Sequence, residues 1–176
     1  MALIYCFGFQ GATTVGLPAL AKLSLGAGDA GVGLLYGARG VGALVAGLLL
    51  GSFAATGRTG LLGCFAILGI SVAVVAGGLA PTLGAALPAF MLSGLCASAV
   101  GTLSITLVQT RAPEEQRGGI MALLSLTIFG LSPLAFGLAG LVGAVLSPRL
   151  ILVGGGVLMG LAGLWGLSSR EMRATE

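Results

Sequence analysis

Long apolar stretches follow one another along this chain with almost nothing between them. Each is close to the roughly 20 residues that an α-helix needs to cross the hydrocarbon core of a bilayer. Only 7% of the residues are charged and mean hydropathy is +1.13, whereas soluble domains carry charge on about a quarter of their residues. The sequence therefore predicts an integral membrane protein.

The spanning elements are predicted to be helices. A transmembrane β-barrel would show segments of about ten residues in which apolar and polar positions alternate, and the sequence has no such pattern. The 33 glycines also favour helices, because membrane helices associate through small residues that let their backbones approach closely. The predicted fold class is an all-α membrane protein.

Breaks at charged residues, proline and glycine divide the chain into six predicted transmembrane helices. They cover residues 2–23, 31–55, 60–79, 83–108, 118–145 and 149–168, followed by a tail of residues 169–176. Asp29 can cap the second helix, and Ser147 followed by Pro148 is typical of the start of the sixth.

Basic residues at the breaks predict the orientation of the chain. One side carries Arg58, Arg111, Arg117, Arg170 and Arg173. The other side carries Lys22 and Arg149. Cytoplasmic loops are enriched in lysine and arginine, so we expect a cell-membrane protein with both termini in the cytoplasm.

The most highly charged break is the segment "RAPEEQRGG", which then lies in the cytoplasm. It holds Arg111, Glu114, Glu115 and Arg117 within seven positions. Pro113 followed by two acidic residues predicts the start of a helix, because carboxylates are favourable at a helix N-terminus. The loop has two interpretations, a solvated segment that sets the topology or a gating element.

Residues 102–143 resemble the second half of major facilitator superfamily transporters, in particular the enterobactin-exporter-like group of bacterial drug and siderophore exporters. The residues that carry the resemblance are Gln109, Pro113, Arg117, Gly118, Pro133, Gly137 and Gly140. The segment "GSFAATGRTG" is similar to the family's loop signature at Gly51, Gly57 and Arg58. A second arginine of the family pattern is replaced by Gly119, and the acidic position of the loop signature holds Ala55 or Thr56.

The resemblance implies a fold and a function. The fold is a half-transporter of six transmembrane helices in a 3+3 inverted repeat, with substrate bound near the midplane. The first and fourth helices would line the cavity, and the third and sixth would face lipid. The implied function is that of the C-terminal half of a secondary active, proton-driven exporter of small amphipathic molecules such as drugs or siderophores. The alternative is a non-transporting interaction or regulatory module, or an inactive remnant of a transporter gene.

Polar residues in the first and fourth predicted helices are candidates for the cavity wall. Gln10, Thr13 and Thr14 have the spacing of one helical face, which suits either a polar strip on the cavity or hydrogen bonds between helices. Ser98 and Thr102 lie four residues apart. They indicate either a cavity surface or close helix packing.

Arg39 is the one charged residue well inside a predicted helix. It lies about eight residues from the outer end, or ~12 Å deep at 1.5 Å per residue. A charge at this depth is costly and marks a functional candidate that faces the protein interior. We expect Arg39 to bind an anionic substrate or to couple to a carboxylate, with partial snorkelling to water as the alternative.

The fifth predicted helix contains a proline and several glycines. Gly130, Pro133, Gly137 and Gly140 can bend or loosen it, because proline removes one backbone hydrogen bond. The pattern predicts either a hinge for alternating access or a static kink.

The sequence predicts no enzyme, metal site, cofactor or nucleic-acid partner. Histidine is absent, the three cysteines have no metal-site spacing, and no nucleophile has a visible base partner. All five acidic residues lie in loops or in the tail, so no predicted helix supplies a proton carrier. The expected partners are the lipid bilayer, a small-molecule substrate, and a second six-helix half or a second copy of the chain.

Overall fold

A computed structural model describes residues 6–53, 59–111 and 113–168, and every regular element in those residues is helical. The predicted all-helical fold class is therefore confirmed. We number the helical segments α1 to α6 in chain order. Segment α1 covers residues 6–24 as a π-helix Cys6–Gly16, a short α-helix Leu17–Ala19 and a second π-helix Leu20–Ser24.

The remaining segments are mainly α-helical. Their bounds are α2 Gly28–Phe53, α3 Thr59–Leu79, α4 Leu83–Arg111 and α6 Pro148–Ser168. The fifth segment has two parts. Part α5a is Glu114–Ser125, continued by the π-helix Leu126–Gly130, and part α5b is Ser132–Val145.

Four of the described helices are long and apolar enough to cross a membrane. These stretches are Gly28–Leu50, Leu62–Leu79, Leu83–Thr110 and Pro148–Trp165. They correspond to the second, third, fourth and sixth predicted spans. The first and fifth predicted spans coincide with segments that are divided into shorter helical pieces, so neither forms one long α-helix.

Proline explains the division of the fifth segment. Pro133 lies in the first turn of α5b, and Leu131 before that helix has φ −89° and ψ −13°. A proline inside a continuous helix would clash with the carbonyl four residues earlier and would leave it without a donor, whereas the first turn tolerates proline. The chain bends at Leu131 and begins a new helix with Pro133 in its first turn, whereas α4 continues through Pro88.

The connection between α1 and α2 depends on two glycines. Gly26 and Gly28 have φ of +62° and +60°, a region that side chains with a Cβ atom rarely adopt. The amide of Ala27 donates to the carbonyl of Ala21 at 2.9 Å. Asp29 lies in the first turn of α2 instead of capping it, and its Oδ1 is 2.5 Å from Nζ of Lys22.

Local signals also mark the later helix starts. The Thr82 hydroxyl accepts a hydrogen bond from the amide of Ala85 at 3.3 Å at the start of α4. Helix α5a begins at Glu114, directly after Pro113, as the order of proline and acidic residues predicts. Helix α6 begins at Pro148, and the preceding Ser147 carbonyl accepts from the amide of Leu150 at 2.9 Å.

Helix packing follows a simple pattern. Helix α2 packs along α4, α4 along α3, and α3 along α6, while the Cys6–Gly16 part of α1 packs against both α6 and α5b. The largest fully buried side chains lie at these contacts and come from α1, α2, α3, α4 and α6. They include Phe9, Leu17, Leu35, Ile70, Phe90, Leu152 and Met159.

The outer surface of the bundle is apolar. Exposed large hydrophobic side chains occur on every helical segment, and those of α3 and α6 lie away from the contact between these two helices. Examples are Leu48, Phe65, Phe129, Val145, Leu161 and Trp165. A surface of this kind suits lipid as its solvent.

Candidate functional site

Arg39 lies in the middle of the candidate span Gly28–Leu50, eleven residues from either end. Helix α2 begins three residues earlier than the sequence predicts, so Arg39 is deeper than expected, about 16 Å from the helix start at 1.5 Å per residue. That depth is close to the centre of a hydrocarbon core about 30 Å thick. A guanidinium at this level requires partners within the protein or from a ligand.

The ring of Phe9 is one such partner. Cζ of Arg39 lies over the ring at 4.5 Å from its centroid, and Phe9 itself is 2% exposed. A cation above an aromatic face is attracted to the negative face of the π system, and the attraction is stronger when water is excluded. The contact joins α2 to α1 and sets the position of the guanidinium group.

The backbone of Arg39 is held by α4. The carbonyl of Arg39 lies so close to Gly94 that a Cβ atom on Gly94 would clash with it. One helical turn further along, Gly42 of α2 meets the carbonyl of Met91 in the same way. Glycine on each helix thus lets the two backbones touch, which is the usual mode of close helix packing in membranes.

An open groove of about 460 Å³ lies beside this contact, between α2 and α4. Its polar members are three residues, Tyr36, Arg39 and Ser98, and the other members are small. The lining residues are Tyr36, Arg39, Gly40, Ala43, Gly94, Ala97 and Ser98. Residues that carry hydrogen-bond donors stand here among small residues, a composition that can bind a polar or anionic group.

Two of the predicted cavity residues, Arg39 and Ser98, therefore lie in one site. Thr102 is exposed and does not line the groove. Among the candidates of α1, Gln10 is half-buried and Thr14 is exposed. Thr13 is buried, and its Oγ1 donates to the carbonyl of Phe9 at 2.5 Å.

The three polar residues of α1 lie in the π-helix Cys6–Gly16 and differ in their exposure. Residues three and four apart share a face in an α-helix, whereas a π-helix bonds five residues apart and has more residues in each turn. Thr13 is buried while the adjacent Thr14 is exposed. The hydroxyl of Thr13 is used within its own helix, on the Phe9 carbonyl.

Other hydroxyl groups are used inside their own helices. Ser93 donates to the carbonyl of Phe90 and Ser104 to that of Val100, each at 2.7 Å. Ser71 is different, because its Oγ donates across the α3–α6 contact to the carbonyl of Gly156 at 2.7 Å. Some hydroxyl groups of this bundle thus bond to carbonyls of their own helix, and the Ser71 hydroxyl bonds to a carbonyl of a neighbouring helix.

The hinge candidates of the fifth segment occupy different places. Gly130 is the last residue of the π-helix and Pro133 lies in the first turn of α5b, so these two flank the bend at Leu131. Gly137 and Gly140 lie inside α5b, and a Cβ atom on either would meet open space. The bend is local to residues 130–133.

The charged loop lies between α4 and α5a. Arg111 ends α4 and Glu114 begins α5a. Glu115 is exposed, and Arg117 is half-buried. Arg58 of the other predicted cytoplasmic loop and the tail 169–176 lie outside the described residues.

Sequence reasoning did not identify Phe9, Tyr36 or Gly40 as parts of the site. Tyr36 could have been found, because it precedes Arg39 by three residues and so shares a helical face with it. Phe9 could not, because its contact with Arg39 depends on how α1 and α2 are placed. Gly40 could not be found either, because nothing in the sequence distinguishes it from the other glycines of α2.

The residues that the structure describes contain no group of three or more His, Cys, Asp or Glu side chains that could hold a metal ion. Cys64 and Cys96 are buried. No protein-family model matches the chain, and no match was found among curated proteins or solved structures. Inference about function therefore rests on the bundle and on the groove beside Arg39.

Proposed function

We propose that this chain is a six-helix half of a secondary active membrane transporter that exports small amphipathic molecules. In this proposal all of α1 to α6 cross the bilayer, with α1 and α5 as broken helices. The groove between α2 and α4 is part of the substrate path. The chain works with a second six-helix half or with a second copy of itself.

The helix-packing pattern is the observation that carries this proposal. When α1, α2 and α3 are exchanged for α4, α5 and α6, the α2–α4 contact becomes α5–α1 and the α3–α4 contact becomes α6–α1. The α3–α6 contact is exchanged with itself. A bundle built from two three-helix repeats has this property, and such repeats are typical of secondary transporters.

Glycine contacts support the same repeat. Gly94 of α4 lies against the carbonyl of Arg39 in α2. In the corresponding pair, a Cβ atom on Gly11 of α1 would lie 3.0 Å from the carbonyl oxygen of Ala135 in α5b. A glycine of the first helix of each unit thus packs on a carbonyl of the middle helix of the other unit.

The position of Arg39 supports transport over a passive role in the membrane. A cation at the level of the bilayer centre is costly and is retained where it acts on a substrate, an ion or a partner. Substrate sites in inverted-repeat transporters lie at the same level. One half provides one wall of such a site, which agrees with a groove that is open along one side.

The proposal can be tested by reconstitution. The tagged chain is purified from its native membrane, and any six-helix membrane protein that copurifies is identified. Proteoliposomes are then prepared with the chain alone and with the pair, and exchange of an amphipathic fluorescent dye is measured. We expect saturable exchange with the pair and none with the chain alone.

The outcome separates transport from its alternative. Saturable exchange that is lost in the Gly40→Leu variant, whose new side chain would fill the groove, supports the proposal. If no combination of the chain with a copurifying partner or with a linked second copy transports dye, the chain is a non-transporting interaction module.

A further inference from the structure

We propose that residues 101–130, the end of α4 and the beginning of the fifth segment, form a mobile helical hairpin. The hairpin turns at the charged loop and joins the rest of the bundle at Gly101 in α4 and at Leu131 before α5b. The inference rests on the proposed function only in taking this movement to open and close one end of the bundle for a substrate. The movement can be measured without transport, so the two proposals can fail separately.

Burial separates the hairpin from the rest of the bundle. Among the residues whose side chains the structure describes, none from Gly101 to Leu131 is buried. The earlier part of α4 differs, because it contributes several fully buried side chains, among them Ala86, Phe90 and Ser93. A stretch with few buried contacts moves at a lower free-energy cost than the interior of a protein does.

The contacts of the fifth segment change at the bend. Among the described elements outside that segment, α5a has more than marginal contact only with α4, the helix to which the charged loop joins it. Helix α5b instead packs along α1. A Cβ atom on Gly11 of α1 would lie 3.0 Å from the carbonyl oxygen of Ala135, which is itself 1% exposed. Helix α5b is therefore held in the bundle, whereas α5a is held mainly through the residues at its two ends.

Features that loosen a helix lie at both attachment points. In α4, the Ser104 hydroxyl donates to the Val100 carbonyl at 2.7 Å, a bond of the kind that often bends helices, and a Cβ atom on Gly101 would meet open space. In the fifth segment, Gly130 ends a π-helix and Pro133 has no amide hydrogen. Sharp helix bends occur at prolines, at glycine and serine pairs, and at π-helical turns. One such point on each side lets the hairpin swing as a unit.

The experiment is double electron–electron resonance on the full chain in liposomes, in a background whose three cysteines are replaced by alanine. One nitroxide pair joins Leu123 of the hairpin to Leu161 of α6. The control pair joins Leu138 of α5b to the same Leu161. All three leucines are exposed, so the labels do not disturb helix packing.

We expect two distances, or one broad distribution, for the Leu123–Leu161 pair and a single narrow distribution for the control pair. Leu123 lies eight residues before Leu131, or ~12 Å along a helix. A change of about 20° in the bend would therefore move Leu123 by about 4 Å. The control pair also reports whether each variant keeps the packing of α5b.

Paired alanine substitutions test the pivot before α5b. Gly130→Ala with Pro133→Ala favours a continuous helix, because alanine supplies the missing amide and has the highest helix propensity. We expect this variant to reduce the Leu123–Leu161 pair to one narrow distance. Gly137→Ala with Gly140→Ala is the matched control, since both glycines lie inside α5b and a Cβ atom on either would meet open space. It should leave the distribution of the Leu123–Leu161 pair unchanged.

The outcomes separate a mobile hairpin from a fixed bend. Equal widths for the two label pairs would overturn the inference. So would a broad Leu123–Leu161 distribution that the substitutions at Gly130 and Pro133 leave unchanged, or one that the control substitutions narrow equally. If the hairpin moves as expected and no combination of the chain with a partner transports dye, the mobile hairpin stands and the transporter proposal fails.

Discussion

The guanidinium carbon of Arg39 lies 4.5 Å from the centroid of the Phe9 ring. The two residues are thirty positions apart and belong to different helices, α2 and α1. The carbonyl of Phe9 in turn accepts the hydroxyl of Thr13. A buried aromatic ring thus contacts a half-buried charged residue that lines the groove.

This contact predicts energetic coupling between Arg39 and Phe9. In a double-mutant cycle with Arg39→Met and Phe9→Leu, we expect a coupling free energy of about 1–2 kcal/mol, because the cation–π attraction is largely desolvated. The measurement is equilibrium unfolding in mixed micelles. Phe90→Leu is the control, since Phe90 is also buried but packs on Gly77 of α3. Additive effects of the Arg39 and Phe9 substitutions would show that the contact contributes no coupling free energy.

The α3–α6 contact predicts that alanine substitutions at two nearby glycines, Gly154 and Gly156, change the free energy of unfolding in opposite directions. A Cβ atom on Gly156 would lie 2.6 Å from Val75 Cγ2 and 3.1 Å from the Ser71 carbonyl oxygen, whereas one on Gly154 would meet open space. We expect Gly156→Ala to lower the free energy of unfolding by about 1–3 kcal/mol through overpacking. Gly154→Ala should raise it by up to ~1 kcal/mol through helix propensity. Thermal unfolding of the purified variants tests this, and equal effects would contradict the packing.

The hydrogen bond between α3 and α6 predicts a smaller loss of unfolding free energy than the overpacking at Gly156. Ser71→Ala removes the donor to the Gly156 carbonyl, and we expect a loss of about 0.6 kcal/mol, the typical value for such bonds between membrane helices. The same unfolding assay applies. Ser104→Ala is the control, because Ser104 donates only to Val100 within its own helix. A larger loss in the control would argue against a role for the bond in joining α3 to α6.

The distribution of basic residues predicts which loops face the cytoplasm. Single cysteines are introduced at Ala27, Glu115 and Ser147 after Cys6, Cys64 and Cys96 are replaced by alanine. In intact cells, a membrane-impermeant maleimide should label positions 27 and 147, and position 115 only after lysis. Labelling of position 115 from outside would reverse the orientation.

The positions of the acidic residues predict that the chain alone does not couple transport to protons. Proton coupling requires a group that gains and loses a proton within the membrane. The acids Asp29, Glu114, Glu115, Glu171 and Glu176 lie outside the predicted spans, and arginine stays charged. Proteoliposomes that contain only this chain should show no dye movement in response to a pH gradient. Robust movement that collapses with a protonophore would refute this prediction.

Some features could be predicted from sequence because they depend on short-range rules. Apolar runs of spanning length indicate helices, and Pro113 and Pro148 mark helix starts because proline fits the first turn. The turn at Gly26 and Gly28 belongs to the same class, since only glycine adopts its positive φ easily. Arg39 stood out as a site residue because one charge in a long apolar run is costly wherever the helix packs.

Tertiary structure decided the features that depend on which helices meet. Gly94 and Gly101 both lie in an apolar part of α4, and the sequence does not distinguish them. Gly94 nevertheless packs on the Arg39 carbonyl, whereas a Cβ atom on Gly101 would meet open space. The groove exists because α2 packs on α4, although α3 lies between them in chain order. Thr13 is buried and Thr14 exposed because the helices that pack on α1 cover only one side of it. Apolar helices carry little information on their partners in lipid, because contacts between small residues and single hydrogen bonds decide the packing.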